Sequence, residues 1–170
     1  SVHQAGAAFE VGCFVGTYRT TSTGSTDCAD VPAGLVGRVA NTATTGLADS
    51  VHQTGAAFAE GCYVGTYRTA GNDASNCVNV PAGSVGLTVT LSAGAISSLT
   101  AATRIQDCPA GTFKAAGGAS SCVNVAAGKV GRVAGGALAS AATSVHETGA
   151  TAEVGCYVGT YRPASSGTSD

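Results

Sequence analysis

The chain contains no tryptophan and no methionine, and aromatic residues fill only 5% of its 170 positions. Charged residues make up 11%, well below the roughly 25% of an ordinary soluble domain. Hydrophobic residues reach 44%, but most of them are alanine, valine and cysteine. Few large side chains are therefore available for a single globular core, although the length would allow one. The 25 glycines argue against long helices, since each costs roughly 1 kcal/mol relative to alanine in a helix interior.

Other absences narrow the function classes. No cluster of lysine or arginine occurs and the net charge is −2, so nothing draws the chain to nucleic acid or to anionic lipid. No apolar run approaches the roughly 20 residues of a membrane span. There is no starting methionine and no signal-peptide character at Ser1, which leads to the expectation of a processed or excised piece of a longer chain.

What the chain does have is a repeat, which takes precedence over other signals. The octapeptide GCFVGTYR at 12–19 returns as GCYVGTYR at 61–68 and 155–162, and in a looser copy, DCPAGTFK, at 107–114. Upstream, SVHQAGAAFEVGC (1–13), SVHQTGAAFAEGC (50–62) and SVHETGATAEVGC (144–156) align without gaps. The first cysteines of the copies, Cys13, Cys62, Cys108 and Cys156, follow one another at a nearly constant interval. The reading is four copies: 1–49, 50–97, a divergent third at 98–143 and a truncated fourth at 144–170.

Seven cysteines follow the repeat. In each of the first three copies a second cysteine trails the first by an almost fixed interval, which assigns disulfides Cys13–Cys28, Cys62–Cys77 and Cys108–Cys122. Each loop of this size is worth roughly 3 kcal/mol in the chain-entropy model. The same interval counted from Cys156 leads to an expected partner outside this chain. Reduced, buried cysteines are the alternative. Regular cysteines in a chain with a poor core point to an oxidising, extracellular setting.

Within a copy, CYVGTYR alternates as a strand does, with Tyr63, Gly65 and Tyr67 on one face and the glycine backbone bare between the rings. TAGNDASN is a turn-rich loop, and CVNVPAG is a second short strand stopped by Pro81 and Gly83. Leu87, Val89 and Leu91 alternate as a third strand candidate, while the paired glycines of GGALASAAT argue against a helical turn there. The expected fold is all-β with much irregular structure: elongated tandem repeats of small disulfide-stapled hairpins.

At 108–128, CPAGTFKAAGGASSCVNVAAG resembles the cysteine-rich ephrin-receptor-like repeat of extracellular surface proteins, including those of single-celled eukaryotes. Cys108, Pro109, Gly111, Thr112, Phe113 and Cys122 carry the match. The family's third cysteine is replaced by Val125, and by Val31 and Val80 in other copies. The resemblance covers less than half of each copy and leaves the spacers out. It implies an extracellular tandem array with one disulfide per repeat, and no activity.

Catalytic chemistry finds little support. No Gly-x-Ser-x-Gly elbow meets a histidine and an acid, and Glu10, Glu60, Asp73 and Asp107 form no locally spaced pair. The glycines belong to hairpin turns rather than to a phosphate loop between strand and helix. His3, His52 and His146 recur at one fixed position ahead of a cysteine, where the third copy has Ser98. They are either metal ligands contributed one per repeat or a polar contact repeated with the unit; zinc sites favour short local spacing, hence the second reading and no cofactor.

Hydroxyl residues cluster, and no Asn-x-Ser/Thr sequon occurs. Thr20, Thr21, Ser22, Thr23, Ser25, Thr26, Ser165, Ser166, Thr168 and Ser169 are candidates for O-linked sugar, plain solvated loops being the alternative. The rings of Phe14, Tyr18, Tyr63, Tyr67, Phe113, Tyr157 and Tyr161 are candidates for packing between repeats or chains, and the Tyr63–Gly65–Tyr67 face is alternatively a platform for stacking on sugar. The expectation is a non-enzymatic structural segment of an extracellular filament, sheath or surface coat that self-associates. The alternative is a non-polymerising ectodomain that binds a ligand or glycan.

Overall fold

A computed structural model describes residues 11–20, 27–71, 73–88, 95–133 and 135–162. Twelve short strands form six two-stranded antiparallel sheets among the described residues, alternating between two sizes. Each small ladder pairs a strand inside a disulfide loop with the residues just past its second cysteine: β1 (Thr17–Tyr18) with β2 (Ala29–Asp30), β5 (Thr66–Tyr67) with β6 (Val78–Asn79), and β9 (Thr112–Phe113) with β10 (Val123–Asn124). The larger ladders lie between them. They pair β3 (Leu35–Arg38) with β4 (Phe58–Gly61), β7 (Ser84–Leu87) with β8 (Arg104–Asp107), and β11 (Lys129–Arg132) with β12 (Ala152–Gly155). Each larger ladder joins the spacer after one cysteine loop to the residues just before the next.

The disulfides Cys13–Cys28, Cys62–Cys77 and Cys108–Cys122 staple the small ladders, with Cα–Cα distances of 5.8, 5.9 and 5.8 Å. Cys156 is half-buried and bonded to no other described cysteine. Burial is local. Val36 packs with Cys62 and Cys77, while Val85 and Leu87 pack with Cys108 and Cys122. Both of these sulfur pairs thus take their apolar partners from the preceding copy. Val31, Val80 and Val125, which replace the third cysteine of the resembling family, have no exposed surface.

The octapeptide is not one continuous strand, as its alternation implied. A turn interrupts it: the Thr66 N–H donates to the Tyr63 carbonyl at 2.9 Å, and Gly65 between them has φ +84°. A positive φ at the third position, with a hydrogen bond from the fourth residue to the first, defines a type II turn. The Thr66 hydroxyl reinforces it, donating to the same carbonyl at 2.7 Å. Thr17, Thr112 and Thr160 repeat both bonds, to Phe14, Pro109 and Tyr157. The glycine therefore serves the turn and not an aromatic-covered strand face. It also lies against the next copy, since a Cβ on Gly65 would sit 2.1 Å from the Ala119 nitrogen.

Other sequence readings change in the same direction. Leu87 ends β7 rather than starting a strand, and Val89 and Leu91 lie outside the described residues. The stretch 58–61 and its equivalents, which share no alternation, form the second strands of the larger ladders. Despite the nearby glycines, Ala141–Thr143 make one 3₁₀ turn, closed by a capping box between Ser140 and Thr143. Another such turn spans Leu47–Asp49.

Gly65→Ala is expected to destabilise the chain by about 2–4 kcal/mol, from left-handed backbone strain and backbone overlap together. Gly46→Ala, at an extended position with no atom within 4 Å of a new Cβ, should be near neutral. Urea midpoints of the two variants check the contrast.

Candidate functional site

A basic residue stands at the same offset from the first cysteine in every copy: Arg19, Arg68, Lys114 and Arg162. Arg68 is 2% exposed. Its Nη1 donates to the carbonyls of Pro32 (2.8 Å), Leu35 (3.1 Å) and Val31 (3.4 Å), all in the preceding copy. Its Nε donates to the Ser75 carbonyl at 2.8 Å, and its Nη2 to the Asp73 carbonyl and carboxylate at 3.0 and 2.9 Å. The planar guanidinium is thus matched by carbonyls from two copies, which offsets the cost of burying its charge.

The cup of carbonyls is built by a second glycine turn. Leu35 N–H donates to Pro32 O around Gly34, at φ +75°, and this turn points successive carbonyls toward the cation. Gly83 and Gly128 hold the same conformation, at φ +74° and +75°. Lys114 fills the equivalent cup with a single ammonium: Nζ donates to Ser84 O at 2.7 Å and to Gly118 O at 2.8 Å. Arg162 donates more loosely to Val125 O and Ala126 O, at 3.4 and 3.5 Å.

The main chain of the same residue links three copies. Arg68 O accepts from Gly34 N–H at 2.9 Å, and Arg68 N–H donates to Ala102 O at 3.0 Å. Lys114 does likewise with Gly83 and Ala150. Electrostatics follow the hydrogen bonds. The Ser75 hydroxyl and N–H, with Arg68 beside them, hold the Asp73 carboxyl below the usual range. Burial pushes the Lys114 ammonium down. Glu153 is likewise lowered, chiefly by its bond to Lys129.

The recurrent SVH segment closes the free edge of two of the larger ladders, those of β3 and β11. Gly37 N–H donates to His52 Nδ1 at 3.0 Å, Gln53 N–H to Gly37 O at 2.8 Å, and Val39 N–H to Gln53 Oε1 at 2.8 Å. His146 and Glu147 reproduce the set on Gly131 and Val133. In the third copy Ser98 Oγ accepts from Gly86 N–H at 3.1 Å. His52 and His146 therefore make one polar contact, repeated with the unit. Ser50, fully buried, accepts the Tyr63 N–H and donates to Gly46 O; Ser144 accepts from Tyr157. Among the described residues no group of three His, Cys, Asp or Glu side chains gathers to hold a metal ion.

The aromatic candidates do not share one strand face, because the type II turn separates the two rings of each octapeptide. Phe14, Tyr157 and Tyr161 are 62%, 37% and 84% exposed, while Tyr18, Tyr63, Tyr67 and Phe113 are half-buried. Thr20 is exposed; Thr21, Ser22, Thr23, Ser25, Thr26, Ser165, Ser166, Thr168, Ser169 and His3 lie outside the described residues. The basic residue was the overlooked element. Its constant offset from the cysteine was the available signal, but one cation per copy reads as ordinary surface charge.

No family model, no curated protein and no solved structure matches the chain.

Arg68→Ala should cost about 3–5 kcal/mol, the range for removing one partner of a buried, hydrogen-bonded charge. Arg68→Lys, which copies Lys114, should retain a larger share of the stability. Denaturant unfolding measures both, and peptide mapping should find Cys62–Cys77 intact in each.

Proposed function

We propose that the chain is a structural segment of an extracellular filament, sheath or surface coat, in which tandem units pass mechanical continuity from one to the next. The observation that carries this reading is the cation seam. Arg68, Lys114 and Arg162 are each held by backbone carbonyls of the copy before, and the main chains of Arg68 and Lys114 bond the copies on both sides. Three disulfides and scant apolar burial fit an oxidising setting in which covalent staples replace a large core. That no described helix is long and apolar enough to cross a membrane adds nothing against it. The ephrin-receptor-like resemblance, retained at the cysteine and Gly-Thr positions, supports the same setting.

Self-association would use the rings left open, Phe14, Tyr157 and Tyr161. O-linked sugar on the hydroxyl clusters would supply the solubility that a sparsely charged surface lacks.

Negative-stain images of the native material should show regular fibres or a sheet. Replacing Tyr157 and Tyr161 with serine should leave the three disulfides closed while weakening assembly in sedimentation. Monodisperse particles with unaltered sedimentation in the variant would point instead to a ligand- or glycan-binding ectodomain.

A further inference from the structure

The two described histidines, His52 and His146, occupy an unusual position for a titrating side chain. Each accepts a hydrogen bond from a strand glycine, at 3.0 Å, on the ladder edge that would otherwise be open. An imidazole can accept at Nδ1 only when that nitrogen is unprotonated, which fixes the neutral tautomer with the proton on Nε2. Adding a proton places an N–H at Nδ1 against the glycine N–H. Two donors then face each other, and the cap is lost. The third copy performs the same task with Ser98, whose hydroxyl does not titrate in the acid range.

We propose that His52 and His146 are acid-sensitive latches on two of the three larger ladders, and that the Ser98 ladder between them is insensitive to acid. The surroundings of His52 favour the neutral ring. The residue is only 9% exposed, and its Nε2 is buried with no hydrogen-bond partner among the described residues. Arg68, from the end of β5, opposes a second positive charge, while Asp73 and the Ser75 backbone, from the intercysteine loop, favour it. The Asp73 carboxylate is already engaged by Arg68 and Ser75. Burial and Arg68 outweigh the rest, so the imidazole is held below its ordinary value. Beside His146, Glu147 is paired with Arg132 at 3.0 Å. Arg162 follows His146 at the same offset along the chain as Arg68 follows His52.

At His52 the sign follows from this depression, and at both residues from the loss of the Nδ1 acceptor on protonation. A group protonated more readily in the unfolded chain stabilises the fold fully above its unfolded value, near pH ~6.5, and that contribution is lost as pH falls through the folded value. Acid therefore opens the β3 and β11 edges while β7 stays capped. A graded response is built into one chain, since two junctions loosen and one holds.

Amide hydrogen exchange on the full chain, corrected for intrinsic rates, tests this at single glycines. Between pH 7.5 and 4.5 the protection of Gly37 and Gly131 should fall, by up to about tenfold for each pH unit that separates the unfolded from the folded value of the histidine. Gly86 should keep its protection. His52→Ser, which copies Ser98, should abolish the acid loss at Gly37 and leave that at Gly131 in place. If the shorter serine does not reach Gly37, the unmodified chain still decides, because nitrogen NMR of the imidazoles reads tautomer and titration directly. Undiminished protection at Gly37 or Gly131, an equal loss at Gly86, or a proton on Nδ1 of His52 at neutral pH overturns the proposal.

Discussion

A buried cation held by the backbone of its neighbour is the constraint on which the rest of this structure depends. Arg68 withdraws its charge from water only because Val31, Pro32, Leu35, Asp73 and Ser75 offer it oxygen atoms in the right places. Those oxygens are in place only because Gly34 turns the preceding copy's chain through the left-handed region. The turn, the cation and the loop around it are therefore one unit of cooperation that spans two copies. An interior copy taken alone has both a cup without its cation and a cation without its cup. Both are costly, since a buried polar group without its partner loses its full hydration.

Side-chain packing plays a smaller part than in most proteins. The interior consists of valines, alanines and sulfur, arranged so that close backbone approach replaces bulky side chains. At Gly37 a Cβ would come within 2.9 Å of Ala56 and 3.3 Å of Val31, so the strand lies directly on these two small residues. Such thin layers bury little apolar area per copy, and a two-stranded ladder is marginal by itself in water. The disulfide restrains the loop that the small core cannot hold. In turn, Cys62–Cys77 and Cys108–Cys122 are buried against valines of the copy before them.

Strand edges are closed by similarly small means. An unpaired edge is a template for non-specific pairing, yet the outer edges of β3 and β11 are met by a histidine and by a glutamine or glutamate from the same chain. Non-specific pairing through those edges is thereby discouraged. Divergence in the third copy follows the chemistry. Ser98 retains an acceptor, Lys114 retains a cation, and Ala101 takes the place of Gly55 and Gly149 at φ +53°, the one left-handed non-glycine among the described residues. The hydrogen-bonding role persists where the residue does not.

The amino-acid sequence by itself determined the period of the copies, the cysteine pairing and the absence of long helices among the described residues, because each is a local or counted property. Separations of 15, 15 and 14 along the chain specify loops that only neighbouring cysteines can close. The role of the octapeptide was legible only in part: residues 62–68 alternate in hydrophobicity whether they form a strand or a strand broken by a type II turn, and the Gly-Thr pair that distinguishes them acts through hydrogen bonds. Tertiary structure alone decided the rest. Arg68 is close to its cysteine along the chain but far from Pro32, at a separation of 36, and nothing in its sequence neighbourhood announces that a carbonyl cup will close around it. The same holds for His52, which could equally have been a ligand until Gly37 was brought to its Nδ1. Contacts between distant backbone groups leave no side-chain signature, and in a chain of glycine, alanine and valine it is the backbone that carries most of the specificity.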